Sequence, residues 1–423
     1  MADLNNSSIF QGRFYDKRAL KLKIIDLIRS NGVITKQQIA LELGINITTI
    51  NNLINQFDSK HSIIKETGDA GSSGGRKPKL YSINSELGYA IGIDIGGTNI
   101  RSIMIDLSGS TVCFHTDKTK ALEGKEAVLN KVINAVSEII KKSGIAENKL
   151  FGIGLSISGI INSFEGTCIF CPNIPGWENF PIKNIIEKKF GVPVTVDDSV
   201  RCAAVAEERF GTAKDHDNFI FVSVGKGIGL GAFIDGKIYR GSMGLAGELG
   251  HITVSEDGPL CNCGNKGCLE AIASGPGILK RAREGIEKGI VSSISKNANG
   301  SPDDLSVEII SKAANEGDKF AYYLINRTGE YIGIAIAAAL NLLGSDLVVL
   351  SGGILQTSDI IIEAIKRTVK MRALEFISKR VRIEKTSLGE NVASIGAAIT
   401  FIDSIFSDSK LNIFDFEQVS NLK

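Results

Sequence analysis

Asp94-Ile95-Gly96-Gly97-Thr98-Asn99-Ile100-Arg101 is the stretch whose reading decides the fold of this chain. Before it, Tyr89–Asp94 reads as a buried strand; after it, Asn99–Asp106 and Thr111–Thr116 read as two more. A strand-to-strand turn of small residues exposes backbone N–H groups that can cradle phosphate oxygens. An acidic residue at a strand end can hold a magnesium ion through water. Two more strand-and-glycine turns follow far along the chain. Phe219–Val224 runs into Gly225-Lys226-Gly227-Ile228-Gly229-Leu230-Gly231, and Asp346–Leu350 runs into Ser351-Gly352-Gly353. Three such turns predict an α/β body of two lobes closing on a nucleotide. Its nucleotide-like turns are Asp94, Gly96, Gly97, Thr98, Gly225, Gly227, Gly352 and Gly353; whether ATP and magnesium still bind there is left open.

Between the second and third turns lie Gly247-Glu248-Leu249-Gly250-His251, Cys261-Asn262-Cys263-Gly264 and Gly267-Cys268-Leu269-Glu270. Thiolates and an imidazole are the ligand set of a closed tetrahedral zinc site, and the glycines let the chain turn sharply enough to bring four ligands to one point. His251, Cys261, Cys263 and Cys268 are therefore the expected metal ligands. Four protein ligands leave no open position, so this zinc is expected to be structural and to hold Glu248, His251 and Glu270 at a pocket. Buried or disulfide-bonded cysteines are the bland alternative, which the spacing fits less well.

A chain of 423 residues suggests two or three domains. The net charge of +1 argues against a wholly basic nucleic-acid binder, but residues 1–83 carry a net +5 and the remainder about −4. A basic head on a mildly acidic body places any DNA contact on the head. Seven cysteines, no secretory signal and no apolar run long enough to span a bilayer predict a cytoplasmic, soluble protein with no membrane partner.

In the head, Leu20, Ile24, Leu27 and Ile28 repeat at helical spacing, and Asn31-Gly32 ends that helix. Thr35 with Gln38 is a capping box for a second helix, and Gly44 makes the turn to a third, capped by Asn46. Ile50, Leu53 and Ile54 face inward there. Thr48, Thr49, Asn51 and Asn52 face outward, where they can bond base edges and phosphates. Two strands, Ile63–Glu66 and Leu80–Ile83, flank the basic tip Gly71–Lys79, which carries Arg76 and Lys77. This is a winged helix-turn-helix; a helical docking module is the alternative, which leaves the basic tip without a use.

The order of these motifs, with Pro172-Asn173-Ile174-Pro175-Gly176-Trp177 between the first two, resembles the ROK family of repressors and sugar kinases across nearly all of residues 88–400. The winged head is similar to that of its repressor branch. The resemblance implies the two-lobed actin/hexokinase-like (ribonuclease H-like) fold. Residues 84–198 would form the first lobe, completed by about 391–423, and residues 199–390 the second. It also implies a sugar pocket lined by Gly159, Asn173, Asp198, Glu248, His251 and Glu270.

One departure from that pattern bears on activity. Family kinases read Glu-Asn-Asp after a Val-Pro-Val strand, and the Asp takes the proton from the attacking hydroxyl. Here Val192–Val196 is followed by Asp197-Asp198-Ser199, which puts Ser199 on the catalytic position. A serine hydroxyl is no general base near neutral pH, and losing a positioned base costs about 10²–10⁴ in rate. Lys226 also stands where the kinase turn usually has Thr. The chain thus reads as a non-enzymatic, sugar-responsive transcriptional regulator that binds a palindromic operator as a homodimer or higher oligomer. Xylose or a related sugar is the favoured effector by resemblance. The rival reading is an active sugar kinase with Asp198 or a water as base. Trp177 stacking on a sugar and Trp177 packing in the core both remain open at this point.

Overall fold

The computed structural model describes residues 17–60, 63–71, 77–297, 304–407 and 413. In the head, α1 (Lys17–Asn31) is followed by β1 (Ile34–Thr35), α2 (Lys36–Leu43), α3 (Ile47–Lys60), β2 (Ile64–Asp69) and β3 (Lys79–Ile83). The Thr35–Gln38 capping box is present, and Gly44 closes α2 in the left-handed conformation at φ 63°. β2 and β3 form the hairpin of the wing. The two-residue β1, which sequence periodicity does not signal, joins β3 as a third strand.

The body repeats one sheet topology twice. In the first lobe β4 (Tyr89–Ile95), β5 (Asn99–Asp106) and β6 (Thr111–Lys118) form an antiparallel meander. After α4 (Lys125–Ser143), β7 (Leu150–Ile157) pairs parallel to β4. A small sheet of β8 (Ile160–Asn162), β9 (Thr167–Phe170) and β10 (Glu178–Phe180) leads to α5 (Ile182–Phe190) and to β11 (Val194–Asp198), which pairs parallel to β7. Then α6 (Ser199–Phe210) opens directly on β11.

In the second lobe β12 (Phe219–Val224), β13 (Ile228–Ile234) and β14 (Lys237–Tyr239) form the matching meander. The metal-ligand loops follow, then α7 (Leu269–Ala273), α8 (Gly275–Glu287), α9 (Ile294–Asn297), α10 (Val307–Asn315) and α11 (Lys319–Leu343). β15 (Leu347–Ser351) and β16 (Arg382–Lys385) add two parallel strands, separated by α12 (Gly353–Gln356), α13 (Asp359–Arg372) and α14 (Glu375–Ser378). Finally α15 (Val392–Phe406) returns to the first lobe.

The central strands of both sheets, β4, β7, β12 and β15, are buried on both faces, which is why they read as continuous apolar runs. On β12, Ile220, Val222 and Val224 face the core of α8, α10, α11 and α13, while Phe219 and Phe221 face a central layer that includes residues of α6 and α15. On β4, Ile91, Ile93 and Ile95 pack towards α4 and α5. The opposite face of β4 receives α15 so closely that a Cβ on Gly92 would lie 1.9 Å from the Ser394 carbonyl oxygen. The apolar core of the head, including Ile24, Ile28, Ile50 and Ile83, runs without a break into that central layer. The boundary expected at 198/199 falls between β11 and α6; α6 itself packs both on α15 and on β13. No helix of the described residues is long and apolar enough to cross a membrane.

Candidate functional site

The residues expected to line a sugar pocket fall on two walls. The first is the loop region between β14 and α8. Gly247 has φ 108°, and its carbonyl accepts from Leu230 N at 2.8 Å, which pins the start of this loop to β13. A 3-10 turn at Leu249–His251 follows. The segment from Thr253 to Cys268 folds back on itself through a bridge between those two residues, and Gly267 at φ 74° has no room for a side chain against the Ser255 carbonyl.

The four donor atoms of His251, Cys261, Cys263 and Cys268 all lie within 4.8 Å of one another. Cys263 Sγ is 3.7 Å from Cys268 Sγ, and Cys261 Sγ is 3.8 Å from His251 Nδ1. A disulfide needs about 2.05 Å, whereas the edge of a thiolate tetrahedron at a bond of about 2.3 Å is about 3.8 Å. The cluster fits a tetrahedral metal ion and not a disulfide. The Asn265 backbone N–H lowers the Cys263 thiol to about 7, towards the thiolate a metal needs.

With Nδ1 turned to the cluster, His251 Nε2 points the other way and lies 3.9 Å from Glu248 Oε2. Burial pushes the Glu248 carboxyl above its ordinary value, against the attraction of His251 and Arg201; the nearby Glu270 raises it further. Glu270 Oε2 accepts from Ile228 N at 2.9 Å, and a Cβ on Gly227 would lie 2.7 Å from that oxygen. The structure thus ties a carboxylate of the expected sugar pocket to the second glycine turn. The third turn joins them: a Cβ on Gly352, at φ 112°, would lie 2.0 Å from the Val224 carbonyl oxygen.

The second wall belongs to the first lobe. Asp94 ends β4 beside the tight turn, and burial pushes its carboxyl up to about 6 although Ser156 Oγ donates to it at 2.9 Å. Thr119 Oγ1 donates to Gly96 O at 2.6 Å and fixes the turn. Gly97 sits against Asn173, whose side-chain carbons would lie 3.0 Å from a Cβ there. The turn and the Asn-Ile-Pro-Gly loop are therefore neighbours. Gly159 lies against the Phe170 carbonyl at the entry to the same loop. Thr98 O accepts from Thr119 N, while Gly225 O accepts from Gly275 N and Gly353 opens α12. Trp177 is fully buried, stacked on Phe180 at 4.9 Å, and Nε1 donates to Lys125 O at 3.3 Å. That packing takes the ring out of contention for stacking on a sugar.

The β11–α6 corner completes this wall. Asp198 is the N-cap of α6: Oδ1 accepts from Val200 N at 2.9 Å and from Arg201 N at 3.3 Å. Burial pushes its carboxyl up to about 6, with Arg201 opposing and Asp197 adding to the shift. Ser199 Oγ is 3.1 Å from Ser158 Oγ. Asp197 receives Arg201 Nε at 2.7 Å and Arg240 Nε at 2.8 Å. Burial opposes its ionisation, but the two guanidiniums outweigh burial and hold it below the usual carboxylate range. Arg201 Nη1 also donates to Ala246 O at 3.2 Å, one residue before Gly247. This Asp197–Arg201–Arg240 network bridges the lobes, and sequence reasoning assigned it no role. The Asp197/Arg201 spacing of four residues is the one signal that could have found it.

On the head, Thr48, Thr49 and Asn52 are exposed and Asn51 is half-buried on α3. Thr48 N donates to the Asn46 side chain at 2.8 Å, so Asn46 caps the exposed helix. Lys77 is exposed beside the hairpin, where Ala70 N donates to Pro78 O at 2.8 Å. Arg76 lies outside the described residues.

Two α/β lobes of repeated topology, a His/Cys cluster able to hold a metal ion and a winged head define a two-lobed α/β body that carries a winged helix-turn-helix head. Comparison with known proteins gives its family. A ROK family profile matches residues 90–404, and a winged helix-turn-helix DNA-binding profile matches residues 17–60. The chain belongs to the ROK family. It is 30% identical to the xylose repressor of Bacillus subtilis over 392 residues, which cover 92% of this chain and 96% of that protein. A ROK family transcriptional regulator described as a homolog of the E. coli Mlc protein superposes with a TM-score of 0.78 at 26% identity, covering 90% of this chain and 95% of that one. A ROK family glucokinase from Streptomyces griseus, solved with glucose and AMPPNP, superposes with a TM-score of 0.66 at 28% identity, covering 74% and 99%. The part of this chain without a counterpart in the kinase is about the size of the head.

Proposed function

We propose that this protein is a sugar-responsive transcriptional repressor of carbohydrate-utilisation genes. The α3 face and the wing bind operator DNA, and the cleft of the body binds a monosaccharide. Glu248, His251 Nε2 and Glu270 from the metal-side wall, with Asn173, Asp198 and the backbone at Gly159 from the other, bond its hydroxyls. The ion in the His251/Cys261/Cys263/Cys268 cluster is zinc, which fixes the loop carrying Glu248 and His251. Xylose is the favoured sugar, because the xylose repressor of B. subtilis matches head and body alike. Two heads read a palindromic operator from a homodimer.

The observation that carries the reading is the β11–α6 corner. Ser199 stands at the base position with its hydroxyl beside Ser158, Asp197 is held by two arginines, and Asp198 spends one oxygen capping α6. This supports a corner that offers a hydroxyl at the position where family kinases carry the catalytic carboxylate. A second reading has one observation in its favour: Asp198, pushed up to about 6, has the basicity of a general base. Incubation with ATP and D-xylose, D-glucose or N-acetylglucosamine separates the two. Absence of phosphoryl transfer, together with sugar-dependent release of DNA, supports the repressor; turnover at kinase-like rates would defeat it.

A further inference from the structure

We propose that α6 and the ion cluster at its far end form the joint through which occupancy of the pocket reaches the DNA-binding head, with Arg209 and Asp403 as the coupling residues. The inference rests on the reading of the body as a sugar-responsive switch. At its first turn, α6 belongs to the pocket: Asp198 caps it, Ser199 opens it, and Arg201 ties it to the loop that carries Glu248. Ten residues after Ser199, about 15 Å along the axis, the same helix meets the head. Arg209 Nη1 donates to Ser30 Oγ of α1 at 3.2 Å, and Nη2 lies 3.5 Å from Asp403 Oδ1 of α15. Arg29 Nη1 of α1 pairs with that same oxygen at 2.6 Å and Nη2 pairs with Asp26 at 2.9 Å, while its guanidinium lies 5.4 Å from the centre of the Phe406 ring.

Between its ends α6 has no slack. A Cβ on Gly396 of α15 would lie 1.6 Å from the Cys202 carbonyl oxygen, and one on Gly231 of β13 would lie 2.8 Å from Ala204 Cβ. A helix gripped on two sides passes a displacement on instead of absorbing it, because packed interiors barely compress. The far end, in contrast, has room and unmet bonds. A cavity of about 190 Å³ lies there, lined by Arg29, Ser30, Arg209, Phe210 and their neighbours. The Nε groups of Arg29 and Arg209 are buried without a hydrogen-bond partner. Unpaired buried donors raise the energy of this docked arrangement and so narrow its gap to another one. A small push on α6 then selects between two placements of the head, as a two-state coupling requires.

Amide hydrogen exchange on the full chain, with and without D-xylose, D-glucose or N-acetylglucosamine, tests the joint. In the wild type a bound sugar slows exchange at residues 197–201 and 246–251 and changes it at least threefold at residues 22–31. Arg209→Ala and the isosteric Asp403→Asn keep the protection at the pocket and lose the change in the head; Arg209→Lys restores part of it. A head response that persists in both variants, or that never occurs while the pocket is protected, overturns the proposal. If none of the three sugars protects the pocket, the functional reading fails separately. The joint is then tested without ligand, by Asp198→Asn at the pocket end. Residues 22–31 must respond to that change in the wild-type background and not with Arg209→Ala; an equal response in both backgrounds, or none, overturns it.

Discussion

The two walls of the proposed pocket are built on different principles. The metal-side wall is irregular loop around a cluster of four residues that can hold a metal ion: His251 belongs to the cluster, Glu248 precedes it by three residues, and Glu270 follows Cys268 by two. The β11–α6 wall is regular structure, a strand end running into a capped helix, with its charges consumed internally by Arg201, Arg240 and two backbone N–H groups. On the first wall Glu248 and His251 Nε2 face each other at 3.9 Å, and Glu270 gives one oxygen to Ile228 N. The second commits Asp197 to two arginines and one oxygen of Asp198 to the cap of α6. Under the proposed function, recognition rests mainly on the first wall and the lost base on the second, with Arg201 and Arg240 tying the two together.

The sharpest way to break this contrast is to remove the rigidity of the first wall. Cys268 is a fully buried member of the cluster. Cys268→Ser, or prolonged chelation, is expected to abolish measurable sugar binding by calorimetry and to lower Tm by roughly 5–10 °C. Sugar binding that survives metal loss would show that the loop holds its shape unaided. The second wall is tested next, by gain instead of loss. Ser199→Asp restores a carboxylate at the base position, and phosphoryl transfer from ATP is expected to rise by up to about 100-fold over the wild type. No gain would mean that the glycine turns, with Lys226 among them, no longer hold the phosphates productively. Smaller again is the effect of single carboxylates on the first wall. Glu270→Gln keeps an acceptor for Ile228 N but removes the charge, and is expected to weaken sugar binding about tenfold with Tm nearly unchanged.

Much of the first wall was legible in the sequence because its signals are local. The ligand spacing, the glycines and the flanking carboxylates lie within 24 residues, and glycine tolerates backbone that other residues resist. The head was legible for the same reason, through the Thr35–Gln38 box and the helical spacing of Leu20, Ile24 and Ile28. The second wall was not. Arg240 reaches Asp197 across 43 residues, and Arg201 reaches the Ala246 carbonyl across 45. Such pairings depend on how two lobes are stacked, which no local period records. Trp177 shows the same blindness: its ring could be placed in a loop by sequence, but only the fold puts Phe180 beneath it. The short β1 escaped because two residues carry no periodicity, and its pairing with β3 is tertiary.

The finest test lies within the second wall, where adjacent carboxylates have opposite linkage to pH. The folded Asp198 carboxyl is raised to about 6 by burial, from about 3.9 in an unfolded chain. The folded state therefore holds this proton more tightly, and the stability it contributes is complete below pH ~4 and lost as pH rises through about 6. Asp197, held low by Arg240 and Arg201 against burial, contributes with the opposite sign: its stabilisation is present above pH ~4 and is lost as pH falls below it. Asn is as good an N-cap as Asp, so Asp198→Asn keeps the start of α6 while removing the buried charge. Its Tm is expected to match the wild type near pH 4 and to exceed it by a few degrees at pH 7. Asp197→Asn leaves two guanidiniums unpaired at neutral pH, so its Tm should fall below the wild type there, and by less at pH 4. Parallel Tm–pH curves for both variants and the wild type would show that neither carboxylate titrates as the ion network requires. The corner would then be held by packing of α6 between Gly231 and Gly396 and not by charge.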